Sequence, residues 1–297
     1  MSPRRDSLDS HSRPRQSRTH LLLGAAWAAC LISACGGELY EQRLQNTRKF
    51  FAHLELLNAN LHPDWSDGEA GIKLRVPRQF LVMPPPEKPE VSETSKSDSD
   101  GFAAEEQEAP VVVDDRQPRF LTNDDNEPVE LPGLRGAFYA QVKIIGANGA
   151  AGTATSYIYV LSNHHLYDDA DKAQRFNTDL VSLVSETLHG GVTAESWHEE
   201  KFPPRPGSFA QTVRYKAVDF TPPDPIEGVE MQMQALTFEQ GNVQVTVLFV
   251  VPRDIDSAEK MTERIPLCLE TLRVAGDKVT APTSSGNTPG DRKPATF

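Results

Sequence analysis

A largely apolar stripe recurs at spacings of three and four between residues 38 and 61, with Tyr40, Leu44, Phe51, Leu54 and Leu61 joined by Thr47 and Asn58, and Phe50 and Leu57 widening it. That period predicts one amphipathic helix, ended by Pro63. The stripe is expected to pack on the chain's own domain, because a coiled coil wants three or four unbroken heptads. Gly71 to Met83 predicts a strand, or a strand broken at Pro77. Apolar and polar residues alternate over Gly136–Ile145 and continue in Thr153–Leu161, which predicts two strands, and Asn148-Gly149 between them is a tight-hairpin signal. Phe176, Leu180, Leu183, Val184 and Leu188 share one face of a helix over about 170–189, for which His189-Gly190-Gly191 supplies a stop.

Alternation returns over 212–220 and 229–238, while Val243 to Val251 is nearly all apolar or β-branched, interrupted at Gln244 and Thr246. Glu239-Gln240-Gly241-Asn242 joins the last two strands as a short turn. Asp256 and Glu259 have the spacing of a capping box for a final helix with Met261, Ile265, Cys268 and Leu272 facing inward. Pro266 within it predicts a kink or a fresh first turn. These elements add up to an α+β fold, an antiparallel sheet flanked by helices.

Two stretches break the pattern. Residues 84–118 hold six prolines, ten acidic and three basic residues. Such a segment buries too little apolar surface to offset its ordering entropy and predicts a disordered acidic insertion. Residues 276–297 have no period and predict a disordered tail. The expected organisation is therefore a leader over 1–34, a helix region over 35–62, a first strand region over 63–83, the insertion over 84–118, an α+β domain over 119–275 and the tail.

Composition narrows the picture. Thirty Lys and Arg stand against 42 Asp and Glu, a net charge of -12, and hydrophobic residues make up 38% of the 297. An acidic balance argues against nucleic acid as a partner, which needs basic patches to neutralise phosphates. Three cysteines make no disulfide framework, and none of their spacings suits a metal.

The leader carries five arginines against two aspartates, followed by an uncharged run from Leu21 to Cys35. Fifteen residues rise about 22 Å as a helix, short of a hydrocarbon core of about 30 Å. A basic region followed by such a run describes a secretory signal. Its end, Ile32-Ser33-Ala34-Cys35, resembles the lipobox of bacterial lipoprotein signal peptides. That resemblance implies cleavage before Cys35, a diacylglyceryl group on its sulfur, and a membrane-anchored protein of the cell envelope facing the periplasm or exterior. Cleavage would remove five basic and two acidic residues, leaving 25 against 40 and a net charge of -15.

The element order is similar to the Mog/PsbP-like fold, an α/β/α sandwich in which an early "VP" segment, a hairpin and a helix precede a closing hairpin and helix. The counterparts are Arg75-Val76-Pro77, the 136–161 hairpin, the 170–189 helix and Leu269-Glu270-Thr271-Leu272. The likeness is of pattern, and the acidic insertion departs from it. Members of that fold act mainly by binding, and no site residues carry over.

Candidate chemistry is sparse. Imidazole and carboxylate suit zinc, so His164 and His165 with Asp168 and Asp169 are the metal candidates, with His189 and His198 free to converge on them. Adjacent histidines in a strand point to opposite faces, however, and the acids suit a helix N-terminus. Trp197-His198-Glu199-Glu200 stops short of a zinc-protease motif, and Cys268 lies on an apolar helix face. The glycine-rich 146–152 joins two strands and lacks a phosphate-cradling lysine. No cofactor is indicated. Three functional classes stay open: a lipid-anchored, non-enzymatic binding or assembly protein with an envelope partner, a metal-dependent envelope hydrolase using His164 and His165, and a small-ligand carrier.

Overall fold

The computed structural model describes residues 18–86, 114–146, 149–166, 168–189, 196–203, 212–222 and 224–275, with side chains from 38 onward. The acidic insertion between 87 and 113, the tail beyond 275, Asn148, Gly190 and Gly191 lie outside the described residues. The chain falls into two units, 1–54 and 55–297. The first is described as one helix, part of α1 (Arg18–Asn60), longer than the helix expected over 38–61. Of the apolar stripe, Leu57 and Leu61 in the second unit are buried, whereas Tyr40, Leu44 and Phe51 are exposed. The expected packing of the stripe is therefore seen within the second unit at Leu57 and Leu61. No described helix is long and apolar enough to cross a membrane.

The second unit is α+β, built on a seven-stranded antiparallel sheet. Its strands are β3 (Leu81–Met83), β4 (Leu134–Ile145), β5 (Ala151–Ser162), β6 (Trp197–Phe202), β7 (Val213–Phe220), β8 (Met231–Gln240) and β9 (Val243–Pro252), in spatial order β3-β4-β5-β9-β8-β7-β6. A small second sheet joins β1 (Trp65–Asp67), β2 (Ile72–Leu74) and β10 (Arg273–Val274). The break at Pro77 is real: β2 and β3 are separate strands in separate sheets.

Alternation along each strand sends side chains to two cores. On one face Phe138, Ile158, Tyr215 and Phe249 pack with the small sheet and with α3 (Met261–Glu270). On the other, Tyr159, Leu161, Met233 and Leu248 pack under α2 (Ala170–Thr187) and the segment around Leu121 and Leu131. The result is a three-layer sandwich, with α2 presenting Phe176, Leu180 and Val184 as the period required.

Polar contacts tie the layers together. Arg135 on β4 grips Asp67 and Glu69 at the end of β1, and Trp65 meets Phe138 edge-on at 5.6 Å. Gly136 makes room for that indole, since a Cβ there would lie 2.6 Å from Trp65 Cζ2. Gln244 and Thr246, which interrupt the apolar run of β9, point at α2. Gln244 Oε1 accepts from the Asn177 N–H at 3.0 Å, its Nε2 donates to the Gln174 carbonyl at 2.6 Å, and Thr246 donates to Asn177 Oδ1 at 2.8 Å.

Two local expectations are corrected, and one, the stop at His189, is borne out at the described residue. The capping box does not close, because Glu259 Oε1 accepts from the Lys143 N–H at 3.1 Å. Asp256 instead caps a short 3-10 turn at Ser257–Glu259, and α3 starts only at Met261. The left-handed residue that stops α2 is His189 itself, at φ 52. Finally, the C-terminal end of the supposed disordered insertion is folded. Asp114 and Arg116 form a 2.7 Å ion pair and Pro118 is buried, while Gln117 exchanges hydrogen bonds with the Leu131 backbone at 2.8 and 3.3 Å.

Candidate functional site

The metal candidates are placed mainly by local folding needs. His164 and His165 sit in a 3-10 turn, Asn163–Leu166, directly after β5. His165 Nδ1 lies 3.2 Å from the Ser162 carbonyl, and its ring meets Phe176 edge-on at 5.9 Å. Asp169 is the N-cap of α2, accepting from the Lys172 N–H at 3.1 Å. That backbone hydrogen bond, aided by the Lys172 side chain, holds its carboxyl below the usual range. Asp168 is exposed. The other histidines do not converge on this turn. His189 faces Asp124 at 3.8 Å, and His198 on β6 bonds Glu200 at 3.1 Å with Asp219 at 3.8 Å. Burial pulls the His198 imidazole down, but its bonds to Glu200 and the Ser196 backbone and the Asp219 charge raise it overall. Among the described residues, no group of three or more His, Cys, Asp or Glu could hold a metal. Cys268 is fully buried with a free thiol, which burial pushes far up.

A concavity lies elsewhere among the described residues, where α2 ends. A cleft of about 550 Å³ opens between Arg119–Asn126, the C-terminal end of α2 at Thr187–His189, and the residues Pro222 and Asp224–Glu227 before β8. A smaller hollow of about 110 Å³, lined by Gln141, Thr155 and Tyr157 from β4 and β5, shares Ile226 and Glu227 with it.

Each wall is fixed by its own backbone. In the first, the Asn123 carboxamide oxygen accepts from the N–H groups of Asp125 at 3.0 Å and Glu127 at 2.8 Å, and Val129 N–H bonds the Leu121 carbonyl at 2.8 Å. The second is the end of α2. The third is a two-residue hairpin turn: Ile226 and Val229 exchange both backbone hydrogen bonds at 3.0 Å around Glu227 and Gly228, at φ 51 and 79. Two successive positive φ values define a type I′ turn, which favours Asn-Gly or Gly-Gly. Glutamate is an unfavourable first residue there.

Left-handed backbone is concentrated at this cleft. Of four non-glycine residues with positive φ among the described residues, Asn126, His189 and Glu227 all line it. Asparagine and histidine are enriched in that conformation, whereas glutamate carries a steric cost. Strained residues of this kind cluster at functional sites.

One aromatic ring, Phe120, lines the cleft, and Tyr157 lines the adjoining hollow. Phe120 and Tyr157 stand 6.0 Å apart, and Tyr157 stacks on the buried Tyr159 at 5.9 Å. Burial raises the Tyr157 phenol, the Glu227 carboxylate adds to the rise, and Arg119 opposes it. Tyr157 therefore feels a cation and an anion at once. Arg119 pairs with the exposed Asp115 at 3.5 Å. Asp224 and Glu227 make no ion pair with a described residue. The cleft can offer carboxylate acceptors, guanidinium and amide donors, hydroxyls and an aromatic face to a ligand.

Sequence reasoning missed this site. Its residues lie in segments without period, and Glu227-Gly228 is not a dipeptide that advertises a type I′ turn. Only the general rule that loops on a rigid scaffold carry function pointed there.

No protein-family model matches the chain, and no curated protein matches it. Among solved structures it is similar to a crystal structure of a protein from Bacteroides thetaiotaomicron VPI-5482. The match has 10% identity and a TM-score of 0.32, covering 72% of this chain and 48% of that one. The chain thus spans about half the length of the solved protein, and a likeness at that score carries no argument.

Proposed function

We propose that this is a lipid-anchored, non-enzymatic binding or assembly protein of the bacterial cell envelope, facing the periplasm or exterior. In this reading Cys35 carries the lipid and the sandwich engages an envelope partner or ligand through the cleft at the end of α2. The observation that carries the binding part is the convergence of three left-handed residues on one cleft lined by Phe120. The anchoring part rests on the residue order Ile32-Ser33-Ala34-Cys35 after an uncharged run. Two acyl chains would hold such a protein stably, where one alone is marginal. The similarity of element order to the Mog/PsbP-like fold, whose members act mainly by binding, supports the same reading. No observation favours a metal-dependent hydrolase centred on His164 and His165.

Metabolic labelling with an alkyne fatty acid tests the anchor. The wild-type chain takes up label and sediments with membranes, and Cys35→Ala abolishes both. Undiminished labelling of Cys35→Ala would refute attachment at that sulfur.

A further inference from the structure

Resting on the reading of the cleft as a binding site, we propose that its ligand is a neutral saccharide. A volume of about 550 Å³ falls within the roughly 300–1,000 Å³ range of small-ligand sites. Charge then removes one class. Asp124, Asp224 and Glu227 stand against Arg119 in the lining, so a phosphate, sulfate or carboxylate ligand meets net repulsion. A cation is the other candidate for an acidic cleft, but it would use the carboxylates alone. It would leave the amide of Asn126 and the hydroxyl of Thr122 unused, and the Arg119 guanidinium, paired with the exposed Asp115, would repel it.

A saccharide engages acceptors and donors together. Its hydroxyls donate to Asp224 and Glu227, which make no ion pair with a described residue, and accept from the Arg119 guanidinium and the Asn126 amide. Its C–H face lies on an aromatic ring, the role open to Phe120, whose ring is half-buried and backed by Tyr157 at 6.0 Å. Glu227 is the central contact, because it borders both the large cleft and the adjoining hollow. Its side chain stands at a turn position that suits asparagine or glycine.

The test is saturation-transfer difference NMR and calorimetric titration on the full 297-residue chain. The probes are chitotriose, cellotriose and maltotriose, with tetralysine and inorganic phosphate as comparators. At least one trisaccharide is expected to bind saturably, with its ring protons receiving transfer. Phe120→Ala and Glu227→Asn should each weaken that binding at least tenfold, and phosphate should show no saturable signal. Glu227→Asn suits the turn and keeps the fold, so its loss of binding is not unfolding; thermal melts of both variants check this. Absence of saturable binding by all three trisaccharides, or binding unchanged in both variants, would overturn the proposal. Tetralysine binding that Glu227→Asn abolishes, without any trisaccharide binding, replaces the saccharide by a basic ligand and leaves the cleft as a binding site. The underlying reading fails separately, if no cleft-dependent cross-link forms in cells.

Discussion

Replacing Glu227 by asparagine should stabilise the protein while removing its proposed function. Glu227 sits at φ 51 as the first central residue of a two-residue turn whose second is Gly228 at φ 79. A side chain other than Asn or Asp in left-handed backbone costs about 1–2 kcal/mol, and asparagine recovers about 1 kcal/mol of this. Nothing offsets the gain: no described residue forms an ion pair with the Glu227 carboxylate, and its charge disfavours only the ionised form of Tyr157. For a unit of this size about 1 kcal/mol corresponds to a rise in Tm of about 2–4 °C. Differential scanning calorimetry of the wild-type chain and Glu227→Asn at pH 7 measures it directly. His189→Gly should give a second rise of similar size, since α2 ends on His189 in the same conformation and glycine is the usual residue there. An unchanged or lower Tm in Glu227→Asn would refute the claim that this position holds backbone strain for the sake of its carboxylate.

Two further predictions address the sandwich itself. Burial raises the Asp67 carboxyl, but the Arg135 hydrogen bond and the N–H groups of Ala70 and Glu69 outweigh that and hold it below its ordinary value. A depressed folded-state value means stability that is present above the unfolded pKa of about 3.9 and lost as pH falls through the lower folded one. Asp67→Asn should therefore flatten the acid limb of a Tm-against-pH curve below about pH 4, and an unaltered limb would contradict this. Ser156 is 0% exposed, and its hydroxyl has no hydrogen-bond partner among the described residues. Removing an unsatisfied buried hydroxyl relieves about 1 kcal/mol, so urea unfolding of Ser156→Ala should show a midpoint equal to or above wild type. A midpoint below wild type would show that the hydroxyl is bonded.

The sandwich was legible wherever burial imposes a period. α2, β4, β5 and the β7–β9 meander follow from stripes such as Phe176-Leu180-Val184 and Met231-Met233-Ala235, because each must aim apolar side chains at one core. β6 was not legible: Trp-His-Glu-Glu-Lys-Phe lies at a sheet edge, where exposure removes the apolar alternation that marks a strand. Gln244 and Thr246 looked like interruptions of β9, whereas they are its hydrogen bonds to α2. That role depends on a partner 67 to 70 residues away, which local pattern does not encode. The folded Asp114–Pro118 segment was hidden by the acidic composition of its neighbours. The cleft was invisible for a related reason. Its walls come from three loops distant in sequence, and the left-handed conformation of Glu227 runs against the residue preferences that sequence reading relies on.

The most direct test of an envelope protein that binds through this cleft is site-specific photo-cross-linking in intact cells. A photoreactive residue replaces Asn126 in the cleft, and in a control it replaces the exposed Thr262 on α3, across the sheet. The account predicts a discrete membrane-fraction adduct from position 126 that Glu227→Asn abolishes and that position 262 does not form. Equal adducts from both positions, or none from position 126, would contradict it.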